Sequence, residues 1–114
     1  MKNYDLDNRF ENFAASIVKS YRKMPNSYAA DYLAKQLIRS ACSSALNFGE
    51  FAGAGSDKDR ANKLRITLKE LRESLRNLNI QTKSNILTEI EAEPLKKEND
   101  ELIRITVTLL KKYS

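Results

Sequence analysis

Six basic side chains, Lys58, Arg65, Lys69, Arg72, Arg76 and Lys83, are spaced to fall within about 60° of one another around a helix axis. A row of cations ~38 Å long suits a phosphate backbone, whose charges repeat every ~3.4 Å along each strand. The chemistry implied is electrostatic binding of RNA or DNA, without turnover. No aromatic residue lies on the row to stack a base. The same pattern also fits a solvated face, or one neutralised by acidic groups of another helix or subunit. Asp59, Glu70 and Glu73 of the same stretch project to its far side.

A second set sits in the segment QLIRSACSSALNFGE, residues 36–50. Gln36, Arg39, Ser40, Ser43, Asn47 and Glu50 form one polar stripe, beside a broad face of Leu33, Leu37, Ile38, Ala41, Ser44, Ala45, Phe48 and Phe51. Ala41, Ser43, Ser44, Ala45 and Gly49 keep the segment narrow, as a helix approached closely by others requires. Glu50 is the sole carboxylate of the stripe, and Arg39 lies ~16 Å from it along the axis. No nucleophile–base or paired acid–base arrangement results. The stripe reads as a polar layer at a helix–helix or subunit contact, with Arg39 and Asn47 fixing register.

The chain has no His and a single Cys, Cys42, which removes the usual metal sites and most general-base arrangements. Gly53-Ala-Gly55 follows a helix and lacks the frame of a phosphate-binding loop. No catalytic, metal-binding or cofactor-binding residue is therefore expected, and no small-molecule substrate. With one cysteine and no partner for it, a reducing, cytoplasmic setting fits. No run of 18 apolar residues exists to cross a membrane, and Met1-Lys-Asn-Tyr-Asp opens without the apolar stretch of an export signal.

These side chains need elements to hold them. The 114 residues are 41% apolar and 31% charged, the composition of a folded chain, and their number suits one domain spanning 1–114. Three Gly and two Pro leave few turns, so long helices follow. The net charge of +5 is concentrated in residues 55–85, which hold eight basic and four acidic groups.

Helix 1 is expected over about 7–24, with Phe10, Phe13, Ala14, Ile17, Val18 and Tyr21 on one buried face. Met24-Pro25 ends it, because the residue before a proline leaves the helical region. Helix 2 follows over about 27–52, and Tyr21, Tyr28 and Tyr32 cluster around the first turn. Helix 3, about 57–81, has the seam Ala61, Leu64, Leu68, Leu71, Leu75, Leu78 at spacings of three and four. Helix 4 is expected over about 88–113, beginning at the T-x-x-E pair Thr88 and Glu91 or restarting at Pro94, with Leu95, Leu102, Ile105 and Leu109 on one face. No alternating strand pattern competes. The fold expected is all-α, an up-down-up-down four-helix bundle.

The 36–50 segment resembles the second-helix signature Q-[LI]-x-R-[AS]-x-x-S-[IV]-x-x-N-[IL]-x-E of the four-helix-bundle proteins encoded in ribosomal-RNA intervening sequences. Gln36, Arg39, Ser43, Asn47 and Glu50 all stand at its fixed positions. LRITLKELRE over 64–73 is similar to the family's third-helix pattern L-R-I-A-L-x-x-L-x-E, so the specific match covers about residues 33–78. Two features depart from it. Lys69-Glu70 stands where the family often has Gly-Ser, and Glu50-Phe-Ala-Gly-Ala where it often has E-G-x-x-R. The resemblance implies a left-handed antiparallel bundle assembling into a ring-shaped homopentamer, with no enzymatic activity. A related branch, the accessory variability determinants of diversity-generating retroelements, is basic and works with a reverse transcriptase and RNA.

Together these readings predict a non-enzymatic homo-oligomer that presents a basic surface to RNA, DNA or a nucleic-acid enzyme such as a reverse transcriptase. The alternative is an interaction scaffold with an acidic protein partner and no nucleic acid.

Overall fold

The structure, a computed structural model, describes residues 3–114. Met1 and Lys2, the start of the segment read for an export signal, lie outside the described residues. Four helices, α1 (Asn3–Ser20), α2 (Tyr28–Ala52), α3 (Asp57–Lys83) and α4 (Glu89–Tyr113), pack as a bundle 45 × 22 × 20 Å in extent. No strand occurs among the described residues. None of the described helices is long and apolar enough to cross a membrane.

Local chemistry sets the boundaries. Ser27 caps α2 by accepting from the Ala30 amide at 3.2 Å, and Ser56 caps α3 by accepting from the Asp59 amide at 3.1 Å. At α4 the capping box closes in both directions: Thr88 Oγ1 accepts from the Glu91 amide, and the Glu91 carboxylate accepts from the Thr88 amide. The helix runs on through Pro94 without a restart. Its tight link to α3 uses Asn85 at φ 62°, a left-handed conformation that Asn tolerates beyond a helix end.

Helix α1 departs from expectation at its C-terminal end. Its last turn is a 3-10 turn over Tyr21–Lys23, and Val18 and Tyr21 are exposed. The buried line is Leu6, Phe10, Phe13, Ala14 and Ile17; Val18, ~100° around from Ile17, falls on its rim. Tyr21 instead donates its hydroxyl to Asp31, at the start of α2.

The core is continuous. Phe10 of α1 stacks on Phe48 of α2 at 4.3 Å between centroids, Phe48 meets Phe51 at 5.3 Å, and Phe51 meets the edge of Tyr113 at 5.7 Å. Each fully buried ring or leucine contributes ~1.5–3 kcal/mol. Leu64, Leu71, Leu78 and Leu102 fill the α3–α4 half. The line that α4 buries is Ala92, Asn99, Leu102 and Thr106, with Leu95, Ile105 and Leu109 only half-buried. That is a different stripe from the all-leucine-and-isoleucine face that the sequence suggested, because two of its inward positions are polar. Arg9 reaches from α1 to α4 with a two-pronged bond to Glu98, at 2.6 and 3.0 Å.

Candidate nucleic-acid interface

The ridge is positioned by the α3 seam. Burying Ala61, Leu64, Leu68, Leu71 and Leu78 turns the opposite side of that helix to solvent. Lys58, Arg65, Lys69, Arg72, Arg76 and Lys83 are all exposed there. Among the described residues none of the six forms an ion pair, whereas Arg9, Lys35, Arg39, Arg60, Lys63, Lys96 and Arg104 each hold a carboxylate. Two of the three acids of the same stretch, Glu70 and Glu73, are held by a cation of another helix. Arg39 of α2 donates to Glu70 at 3.1 Å and to Glu73 at 2.8 Å.

Five of the six cations (Lys58 lies apart) border a shallow groove of about 1000 Å³. Leu68, Leu75 and Ile80 of α3 and Leu110 of α4 supply its apolar surface, and Glu73, expected on the far side of the helix, lines it too, because three residues from Arg76 is only ~60° around the axis. A row of fixed positive charge beside an apolar channel can hold an anionic polymer. Among the described residues no three acidic or cysteine side chains gather to hold a metal ion.

The polar stripe of α2 lies along α3. Arg39 Nε donates to Gln36 Oε1 at 3.3 Å while its other nitrogens reach Glu70 and Glu73. The hydrogen bond to Glu73 is the main reason that the guanidinium is held more firmly charged than usual. Asn47 donates to the Ser43 carbonyl at 2.9 Å and to its hydroxyl at 3.2 Å. Glu50 pairs with Lys63 at 2.8 Å, which raises the lysine's pKa through that hydrogen bond. The five motif residues thus share one edge of α2, and Arg39 and Glu50 clamp it to α3. Lys69-Glu70 does not prevent close packing: Lys69 points out, and the Glu70 carboxylate is buried under Arg39. Beneath the clamp, Ser40 and Ser74 meet at 2.8 Å.

A buried polar set went unseen in the sequence. Asn77 donates to the Leu33 carbonyl of α2 at 2.9 Å, Gln81 donates to Asn77 Oδ1 at 2.7 Å, and Asn99 of α4 donates to the Leu71 carbonyl of α3 at 2.9 Å. Thr67, Ser74 and Gln81, all buried, recur every seven residues; that spacing was the available signal.

The profile of the 23S rRNA-intervening sequence protein family matches residues 2–108. The chain belongs to that family. Among solved structures, a protein of unknown function from the S23 ribosomal protein family of Bacteroides thetaiotaomicron is 28% identical, with a TM-score of 0.89 over 97% of this chain and 99% of that one. No curated protein matches the chain. The resemblance first read over residues 33–78 of this intervening-sequence protein therefore extends over nearly its whole length, helices α1 and α4 included.

Proposed function

We propose that this intervening-sequence protein is a non-enzymatic, homo-oligomeric accessory factor that binds RNA or DNA along the α3 ridge, alone or alongside a nucleic-acid enzyme. One observation carries this reading: among the described residues the six ridge cations are exposed, without carboxylate partners and aligned along one face of α3, and five of them border a single groove. Membership of a family named for an rRNA insertion supports it. Assembly into a ring of five copies is the oligomer that the family resemblance implies. Supporting it, Leu46 and Ile66 stay 71% and 40% exposed between the Arg39–Glu73 and Glu50–Lys63 clamps. Two apolar side chains left outside a small bundle gain by being covered by another copy.

Anisotropy of a labelled RNA tests the reading. Five phosphate contacts predict a slope of log affinity against log salt of about −4 to −5 on a duplex and somewhat less on a single strand. Changing Arg65, Lys69, Arg72 and Arg76 together to Gln is expected to abolish binding while the helical circular dichroism is unchanged. Affinity that survives this change would overturn the ridge as the site. Sedimentation of the wild type tests assembly: a 13.0 kDa particle would refute the oligomer, and Leu46→Lys is expected to shift it towards that mass.

The groove's apolar surface of Leu68, Leu75, Ile80 and Leu110 favours a second reading, docking of an acidic amphipathic protein segment. Failure of RNA and DNA to bind at low salt would leave that one standing.

A further inference from the structure

Tyr28 and Tyr32 of α2 are 85% and 52% exposed, with near-parallel rings (22°) whose centroids lie 6.3 Å apart. Neither ring belongs to the core. Beside Tyr28 lies a surface hollow of about 480 Å³, lined also by Tyr21, Met24, Pro25, Asn26, Ser27 and Asp31. The hollow thus combines ring faces with amide, hydroxyl and carboxylate groups, the lining that a flat, polar-edged nucleobase takes.

Its place in the fold ties it to the ridge. Tyr32 and Arg39 are seven residues apart, two helical turns, and so share a face of α2. Arg39 on that face reaches Glu73 of α3, and the Leu33 carbonyl accepts from Asn77. Tyr32 therefore lies level with the C-terminal part of α3, where Arg76, Ile80 and Lys83 are exposed. It is ~21 Å along α2 from Leu46, the residue assigned above to contact between copies. The carboxylate that lines the hollow, Asp31, is paired with Lys35 at 2.9 Å, which offsets its charge.

We infer that Tyr28, Tyr32 and the adjoining hollow form a base-stacking platform, which makes the ligand of the ridge a single-stranded nucleic acid. The inference rests on the nucleic-acid reading of the ridge and adds to it the class of strand. In a duplex the base faces are already stacked on one another, so only an unpaired strand can run its phosphates along α3 and lay bases on these rings.

The test compares oligouridylate, an abasic oligomer of equal length and a duplex. Each is titrated against the wild type, Tyr28→Leu/Tyr32→Leu and Arg72→Gln/Arg76→Gln. Oligouridylate is expected to bind the wild type about tenfold or more tighter than the abasic oligomer, from stacking one base or more. The double leucine variant should bind the two equally, with the salt slope unchanged. The double glutamine variant should weaken both by the same factor. With no Trp in the chain, the emission comes from tyrosine, and oligouridylate should quench it where the abasic oligomer does not. Tyr28→Phe/Tyr32→Phe, which keeps the rings, should retain the preference. Equal binding of both oligomers to the wild type, or a preference that persists in the double leucine variant, overturns the platform and leaves the ridge standing. No binding by any oligomer overturns both. A lower sedimentation coefficient for the double leucine variant without nucleic acid would assign the pair to contact between copies and overturn the platform as well.

Discussion

Ser40 of α2 and Ser74 of α3 face each other with their hydroxyl oxygens 2.8 Å apart, both buried. Two hydroxyl hydrogens serve three acceptors: the serine that donates across the pair gives up its own-helix carbonyl, Leu37 at 3.2 Å for Ser40 or Glu70 at 3.0 Å for Ser74. The pair holds the two helices close and lets the Arg39 clamp form over it. Ser74→Leu is expected to force them apart and cost ~1–3 kcal/mol. Ser74→Ala leaves Ser40 its Leu37 partner and should cost less than about 1 kcal/mol. Urea midpoints check both, and equal losses would refute the close approach.

Arg39 is the partner of a buried acid: the Glu70 side chain is 8% exposed, that of Glu73 42%. Arg39→Met strands the Glu70 carboxylate and is expected to cost ~1–3 kcal/mol. Glu73→Gln touches only the exposed arm and should cost less than ~1 kcal/mol. Chemical denaturation of the two variants ranks the arms, and the reverse order would contradict this geometry.

Asn99 offers a change in the other direction. It is fully buried, it donates to the Leu71 carbonyl, and its Oδ1 has no partner among the described residues. Leu branches at the same carbon and removes the unsatisfied oxygen, while the Leu71 carbonyl lies inside α3. Asn99→Leu is expected to hold or raise the denaturation midpoint, whereas Asn99→Ala should lower stability by ~1–3 kcal/mol through the lost bond and the space left. A lower midpoint for Asn99→Leu would show that the amide itself is needed.

Tyr21, Asp31 and Lys35 give a pH dependence whose sign follows from their shifts. The Tyr21 hydroxyl, and then Lys35, hold the Asp31 carboxyl below its ordinary range, and the Thr88 backbone and side chain do the same for Glu91. Stability from these carboxylates is full above the unfolded values of ~4 and is lost as pH falls through the depressed ones. Asp31 raises the pKa values of Tyr21 and Lys35 through its hydrogen bonds, so their share is full below ~10 and is lost as pH rises through the raised values. Tyr21→Phe should bring the Asp31 carboxyl back up towards its ordinary range, read by NMR titration of the side chain. An unmoved Asp31 would make Lys35 the cause.

The four helices were legible because leucine and phenylalanine recur at helical spacing and because Ser27, Ser56 and Thr88 mark starts. The ridge was legible too, since exposed charge is placed by periodicity alone once the Leu64–Leu71–Leu78 line is known to face inward. Less legible was the polar interior. Asn99 and Thr106 hold inward positions on α4, yet a reading that counts apolar residues skips them and slides the stripe to Ile105. Glu70 looked like a surface acid until Arg39, 31 residues away, was placed above it. Such pairings depend on which helix lies alongside which, and no local spacing encodes that. The tyrosine pair was half visible: the cluster of Tyr21, Tyr28 and Tyr32 was plain, but not that Tyr32 lies level with the C-terminal part of α3.

The Arg9–Glu98 bond joins residues 89 positions apart, whereas the Arg39–Glu73 and Asn99–Leu71 ties join helices adjacent in the chain. Closing the ends of the chain therefore carries the larger loop entropy, and a topology built mainly from neighbouring helices folds quickly. In native-state hydrogen exchange, the α1 amides are expected to report an opening of their own, at lower free energy than those of α2 and α3. Arg9→Met should lower that opening further while leaving the α2–α3 protection in place. The bundle would then behave as a stable unit of three helices, α2 to α4, with a detachable fourth wall.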